Sequence, residues 1–132
     1  LGLNEKRNLA LIGVGNLGRA LLSYKNFADH GYDFVAAFDT DKDKIGSDLP
    51  CGIPVYDMEK IDALVKDLGI DIVIITTPAE FAQNAADKAV AAGVRGILNF
   101  APTQLNIPRE VHLKRVDLTT EFDNLAYHLH AG

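Results

Sequence analysis

The stretch that decides the fold is Asn8-Leu9-Ala10-Leu11-Ile12-Gly13-Val14-Gly15-Asn16-Leu17-Gly18, followed about 20 residues on by Asp39. A Gly-x-Gly-x-x-Gly motif alone is weak, because glycine is common in turns. Here a β-like apolar run precedes it, an amphipathic helical pattern follows it, and an acid ends the next apolar run. That context is what a dinucleotide-binding βαβ unit requires. Gly13 permits the tight strand-to-helix turn, Gly15 lets the backbone approach a pyrophosphate, and Gly18 lets the helix pack close to the strand. Asn16 and Leu17 open the helix, whose free N–H groups and partial positive charge suit a phosphate.

Asp39 closes the run Asp33-Phe34-Val35-Ala36-Ala37-Phe38. A carboxylate there accepts hydrogen bonds from both hydroxyls of an adenosine ribose and repels a 2′-phosphate. One close like-charge contact costs on the order of 4 kcal/mol at an effective dielectric near 20, less when exposed. Asp41 adds a second negative charge, and the nearest cations are Lys42 and Lys44. NAD(H) is therefore the expected cofactor, in preference to NADP(H).

At 132 residues the chain is expected to be one globular domain, with no run of the roughly 20 apolar residues that would span a membrane. It starts at Leu1 and shows no signal-peptide pattern, so an excised or trimmed cytoplasmic domain is expected. The net charge is −5, and the 13 Lys and Arg residues are scattered, so these residues themselves make a poor nucleic-acid surface. The single cysteine, Cys51, has no internal disulfide partner and no Cys or His at metal-ligand spacing, and reads as a loop thiol. No metal site is expected.

Strand and helix patterns alternate along the chain. A first helix is expected from about Asn16 to His30, with Leu17, Ala20, Leu21, Tyr24, Phe27 and Ala28 on one face and Gly31 closing it. A short strand follows over Ile53 to Tyr56, then a helix capped by Asp57 and closed by Gly69. Asp71-Ile72-Val73-Ile74-Ile75-Thr76 reads as a central strand buried on both faces, broken by Thr77-Pro78. Ala82, Ala85, Ala86, Ala89 and Val90 put small residues on one face of the next helix, ended by Gly93. Gly96-Ile97-Leu98-Asn99-Phe100 is the next strand, a looser stretch runs from Thr103 to Lys114, and Arg115-Val116-Asp117-Leu118 reads as the last strand. The fold class is α/β: a Rossmann-type doubly wound parallel sheet with a C-terminal amphipathic helix. That helix, capped by Thr119 or Thr120, carries Phe122, Leu125, Ala126 and Leu129. It either packs on its own domain or docks on a second subunit.

Several separated segments together resemble one family: Leu1-Gly2-Leu3-Asn4, Gly18-Arg19-Ala20-Leu21-Leu22-Ser23-Tyr24, Ile97-Leu98-Asn99-Phe100-Ala101-Pro102 and Val116-Asp117-Leu118. The chain resembles the nucleotide-binding domain of Rex, the bacterial NADH-responsive repressors, over essentially its whole length. The resemblance implies a homodimer that exchanges its C-terminal helix, with residues 1–118 as the NAD(H)-binding domain and 119–132 as the dimerisation helix. It also implies operator DNA as a partner, bound through an N-terminal winged-helix domain outside these residues. The nicotinamide would lie near the dimer interface, beside Asn99, Phe100, Ala101 and Pro102; Thr77 and Pro78, at the end of the central strand, are further candidate cofactor-binding residues. Tyr24, and Asp117 from the other subunit, would take part in the redox switch. Leu118 stands where the family often has phenylalanine.

The residues fit that picture in their own right. Asn99 offers donors and acceptors to a ribose or carboxamide, while Phe100, Ala101 and Pro102 form an apolar wall that disfavours the cationic ring of NAD⁺. Tyr24 also reads as a core aromatic, and Asp117 as a cap at a strand end. Two other functions share the fold. A fragment of an NAD-dependent dehydrogenase is one, but none of His30, His112, His128 and His130 sits at a recognisable acid–base position, and no enzyme is expected. A CoA-binding domain of the acyl-CoA synthetase type is the other; Asp39 opposes it, because CoA carries a 3′-phosphate on the ribose.

Overall fold

Residues 5–49 and 51–131 are described by the computed structural model; the Leu1-to-Asn4 part of the resemblance lies outside them. The strand β1 (Arg7–Ile12) leads into helix α1 (Asn16–Ser23), the single-turn α2 (Asn26–Asp29) and β2 (Tyr32–Asp39). Then follow β3 (Val55–Asp57), α3 (Ile61–Leu68), β4 (Ile70–Ile75), α4 (Ala79–Ala92), β5 (Gly96–Asn99), β6 (His112–Arg115) and α5 (Leu118–Ala131). The six strands form one sheet in the order β3-β2-β1-β4-β5-β6, and every pairing between them is parallel. The strand order reverses between β1 and β4, and their carboxyl ends mark where such sheets bind ligands.

Strand residues alternate between two cores, because successive side chains leave opposite faces of a strand. Ala10 and Ile12 of β1, Val73 and Ile75 of β4 and Ile97 of β5 point to one face. There they meet Ile61 and Val65 of α3 and the alanine face of α4, Ala82, Ala85, Ala86 and Ala89. The small residues let α4 lie close to the sheet. Leu9 and Leu11 of β1 and Ile74 of β4 point to the other face, where Leu22 of α1 and Leu49 of the β2–β3 connection cover them. That second layer stops half-way. Beyond β1 no helix among the described residues covers β4 and β5, and Ile72, Leu98 and Phe100 remain only partly buried.

Four expectations need correction. The first helix breaks at Tyr24 and Lys25, and α1 presents Gly18 and Leu22 to the sheet, leaving Leu17, Ala20 and Tyr24 exposed. The β3 strand starts at Val55, two residues late. The last strand lies at His112–Arg115 and not at Arg115–Leu118; β5 selects it through backbone pairing of Gly96 with His112 and of Asn99 with Arg115. The fourth, the cap of α5, is taken up below. Asp57 is an N-cap as expected, accepting from the N–H of Glu59 at 3.0 Å in a 3₁₀ turn that leads into α3. Gly69 and Gly93 end α3 and α4 in the left-handed region, as expected.

The cap of α5 is Asp117, not Thr119 or Thr120. Its carboxylate accepts from the Thr120 N–H at 3.3 Å and from the Thr120 hydroxyl at 2.9 Å. All the side chains of α5 described, from Leu118 to His130, are exposed, with Phe122 at 65% and Leu129 at 81%. The helix does not pack on its own domain.

A candidate dinucleotide crevice at the carboxyl ends of the central strands

The crevice is built where β1 turns into α1. Gly13 has φ +99°, which L side chains rarely adopt, and a Cβ there would meet the Thr77 nitrogen at 2.9 Å. A Cβ on Gly18 would stand 2.5 Å from the Gly13 carbonyl oxygen and 2.7 Å from Leu11 Cδ2. Gly18 is therefore the close-packing glycine, and any Cβ there forces its neighbours to shift. Thr76, at the end of β4, fastens the loop from the opposite strand: its hydroxyl donates to the Gly13 carbonyl at 2.6 Å and its N–H to the Ile12 carbonyl at 2.9 Å.

Gly15 differs from the other two. A Cβ there would meet nothing within 4 Å, so it would project into open space. Gly15 is also the N-cap of α1, no side chain caps the helix, and its first turn holds no acid. The N–H groups of that turn are left to an anion, as a pyrophosphate needs.

Asp39 faces this loop from the end of β2. Its Oδ2 accepts from the Val14 N–H at 2.8 Å and its Oδ1 from the Asp41 N–H at 2.9 Å. These bonds fix the carboxylate beside the glycine loop, and each oxygen keeps a lone pair for a ribose hydroxyl. Gly13, Gly15, Asp39, Thr77 and Pro78 line one crevice of about 600 Å³, together with Met58, Thr76, Phe81 and Lys44. A pyrophosphate and a ribose diol fit these donors and acceptors.

Met58, Thr76 and Phe81 were not singled out from the sequence. Phe81 did carry a signal: it lies outside the alanine face of α4, and at 58% exposure it is a large aromatic with no core to fill. Thr76 reads as one more β-branched strand residue, and only the fold brings its hydroxyl to Gly13.

The second group of expected residues stands at the end of β5 and does not line that crevice. Asn99 is 1% exposed and its amide is spent on its own loop. Its Oδ1 accepts from the Ala101 N–H at 2.9 Å, and its Nδ2 donates to the Thr103 carbonyl at 3.0 Å and the Ala101 carbonyl at 3.3 Å. The side chain expected to meet a ribose or carboxamide instead shapes the turn that carries Ala101 and Pro102. Ala101 is buried and Pro102 exposed. Phe100 faces the opposite side of the sheet, in an apolar groove of about 410 Å³ shared with Leu21, Phe27, Phe34, Ile74 and Leu98.

Tyr24 and Asp117 line no common cavity among the described residues. Tyr24 is exposed just beyond α1, packs edge-on against Phe27 at 4.8 Å, and shares a surface hollow with Cys51. Besides capping α5, Asp117 pairs with Arg115 at 3.3 Å. The Thr120 hydroxyl and N–H hold its carboxyl below the usual carboxylate range, and Arg115 adds to this. Among the described residues no group of His, Cys, Asp and Glu could hold a metal, and no helix is long and apolar enough to cross a membrane.

Residues 4–103 match the family model of the CoA binding domain. The chain belongs to that family. Over all 132 residues it is 47% identical to the redox-sensing transcriptional repressor Rex of Syntrophobacter fumaroxidans, spanning 63% of that protein's length. In structure it matches RSP in complex with β-NADH at a TM-score of 0.91, with 33% identity over 98% of this chain and 63% of that one. RSP in complex with β-NAD⁺ and operator DNA matches at 0.92, with 33% identity over 98% of this chain and 59% of that one. The similarity to Rex expected from the sequence thus extends over all 132 residues, and the Rossmann-type fold class is the one expected. The Rex relative is a redox-sensing transcriptional repressor, and RSP is a Rex-family repressor.

The glycines give a paired prediction. Gly18→Ala should lower stability by roughly 1–3 kcal/mol through overpacking, read from urea unfolding. Gly15→Ala should leave that midpoint unchanged and weaken dinucleotide binding by about tenfold or more in calorimetry.

Proposed function

We propose that this chain is the NAD(H)-binding, redox-sensing domain of a cytoplasmic transcriptional repressor. The observation that carries the reading is the Asp39 carboxylate, held by the Val14 N–H beside an uncapped helix N-terminus. A dinucleotide would set its adenosine ribose on Asp39, its pyrophosphate on Gly15 and the first turn of α1 (Asn16, Leu17, Gly18), and its backbone past Thr77 and Pro78. The nicotinamide would reach the end of β5, where Asn99 holds the turn that carries Ala101 and the exposed Pro102; Phe100, on the opposite side of the sheet, is left to the dimer groove. Desolvation there opposes the cationic ring of NAD⁺ more than the neutral ring of NADH.

The two unpartnered apolar surfaces support a homodimer. Leu118, Phe122, Leu125 and Leu129 form an exposed stripe along α5, spaced as one helix face. The groove under α1, with Leu21, Phe34, Leu98 and Phe100, is open. In this proposal residues 119–132 are the dimerisation segment, and α5 of each subunit, capped by Asp117, crosses into the groove of the other. That docking would bring one subunit's Asp117 toward the other's Tyr24, so that the nicotinamide's redox state alters a contact between subunits. A winged-helix domain outside these residues would then bind or release operator DNA, as the operator complex of RSP supports. By linkage, NADH and DNA must weaken each other's binding by the same factor. The match to the CoA binding domain model favours CoA as a second reading; against it, a 3′-phosphate would meet Asp39 and Asp41.

Calorimetric titration separates the readings. NADH should bind at least about tenfold tighter than NAD⁺, with NADPH and CoA negligible; CoA binding as tightly as NADH would overturn the proposal. Sedimentation velocity checks the dimer. The chain should sediment as a dimer and Phe122→Asp as a folded monomer, whereas a monomeric parent chain would end the exchange model.

A further inference from the structure

The connection from β5 to β6 contains no helix. Residues 100–111 are irregular, so they have no hydrogen-bond ladder of their own and side chains must hold them. Asn99 does so at the root of the loop. Half-way along, Gln83 of α4 does it a second time: its Oε1 accepts from the Asn106 N–H at 2.8 Å, and its Nε2 donates to the Asn106 carbonyl at 2.9 Å. One side-chain amide thus grips both main-chain groups of a single residue, as a neighbouring strand would. Asp87, one turn along α4, accepts from the same Nε2 at 2.9 Å. Only a donor can face that carboxylate, so the orientation of the Gln83 amide is fixed. Leu105 and Ile107, on either side of Asn106, are half-buried against the α3–α4 core.

The same helix forms a wall of the dinucleotide crevice. Pro78 at its start, and Phe81, Asn84 and Ala85 in its first two turns, line the cavity, while Gln83 points away from it to the loop. One side chain therefore ties the β5–β6 loop to the helix that shapes the crevice.

We infer that Gln83 is a positioning residue for the nicotinamide end of the site: by gripping Asn106 it sets the loop that starts at Ala101 and Pro102 against α4. Gln83 touches no ligand and acts only through Asn106. The inference rests on the NAD(H) reading, because it assigns the wall at the end of β5 to the nicotinamide.

The variant Gln83→Met keeps the length of the side chain and removes both bonds to Asn106. Wild type and variant are titrated with NADH, NAD⁺ and ADP-ribose, which shares the adenosine and pyrophosphate and lacks the nicotinamide. The fluorescence emission of bound NADH is recorded in parallel. NADH affinity should fall about three- to tenfold, the range that one or two lost hydrogen bonds supply, and ADP-ribose affinity should stay within about twofold. The emission of bound NADH should move toward that of the free cofactor. Gln83→Glu, which replaces the donor by a carboxylate facing Asp87 and the Asn106 carbonyl, should weaken NADH at least as much as Gln83→Met and likewise spare ADP-ribose. Equal weakening of all three ligands, or no weakening of any, would show that Gln83 only stabilises the fold. If the wild-type chain itself fails to bind NADH, the NAD(H) reading falls first and this inference falls with it; a failure confined to the variants leaves that reading intact.

Discussion

The structure depends on the close approach of α1 to β1 and β4 at Gly13, Gly18 and Thr76. With a Cβ on Gly18 standing 2.5 Å from the Gly13 oxygen, the helix could not sit there, and the Thr76 hydroxyl could not reach that oxygen at 2.6 Å. This one contact joins the end of β4 to the loop after β1, across the point where the strand order reverses. It aims the free N–H groups of α1 into the crevice and brings the Val14 N–H to Asp39. Stability and ligand chemistry are coupled here: Gly13 and Gly18 are required by packing, and Gly15 alone is left for a ligand.

A second constraint is the unequal covering of the sheet. The α3–α4 face is closed by small residues that let a helix lie flat. The α1 face is closed over β1 and β2 only. A buried layer of Ile74 and Leu11 is continuous with the half-covered Ile72, Leu98 and Phe100, beside which no helix among the described residues rests. The long apolar stripe of α5 is the complementary surplus. A domain of this size seldom leaves so much apolar surface uncovered, and that surplus is the physical argument for the second subunit proposed above.

Much of this was legible in the sequence, and the exceptions share a cause. The glycine loop, Asp39, the doubly buried β4 and the alanine face of α4 are local patterns with one structural solution each. The position of β6 was not legible, because His112–Arg115 has only Leu113 partly buried and is selected by backbone pairing with β5. The break of α1 at Tyr24 carries neither glycine nor proline. Asn99 and Asp117 were recognisable as special, but not in their orientation. A buried amide at a strand end looks the same in sequence whether it serves a ligand or its own turn, and an acid before a helix looks the same whether it caps or waits for a partner. Gln83 and Asn106 lie 23 residues apart and meet only because α4 runs beside a loop that has no periodicity.

The most direct test of the central claim, that a dinucleotide lies across the β1–β4 switch point with its ribose on Asp39, is amide NMR of the isotope-labelled chain during an NADH titration. The account predicts the largest shifts at residues 13–18, 39–41 and 101–103, with loss of those at 39–41 when the ligand is nicotinamide mononucleotide. Shifts confined to the hollow beside Tyr24 and Cys51, or an unchanged spectrum at Asp39, would contradict it.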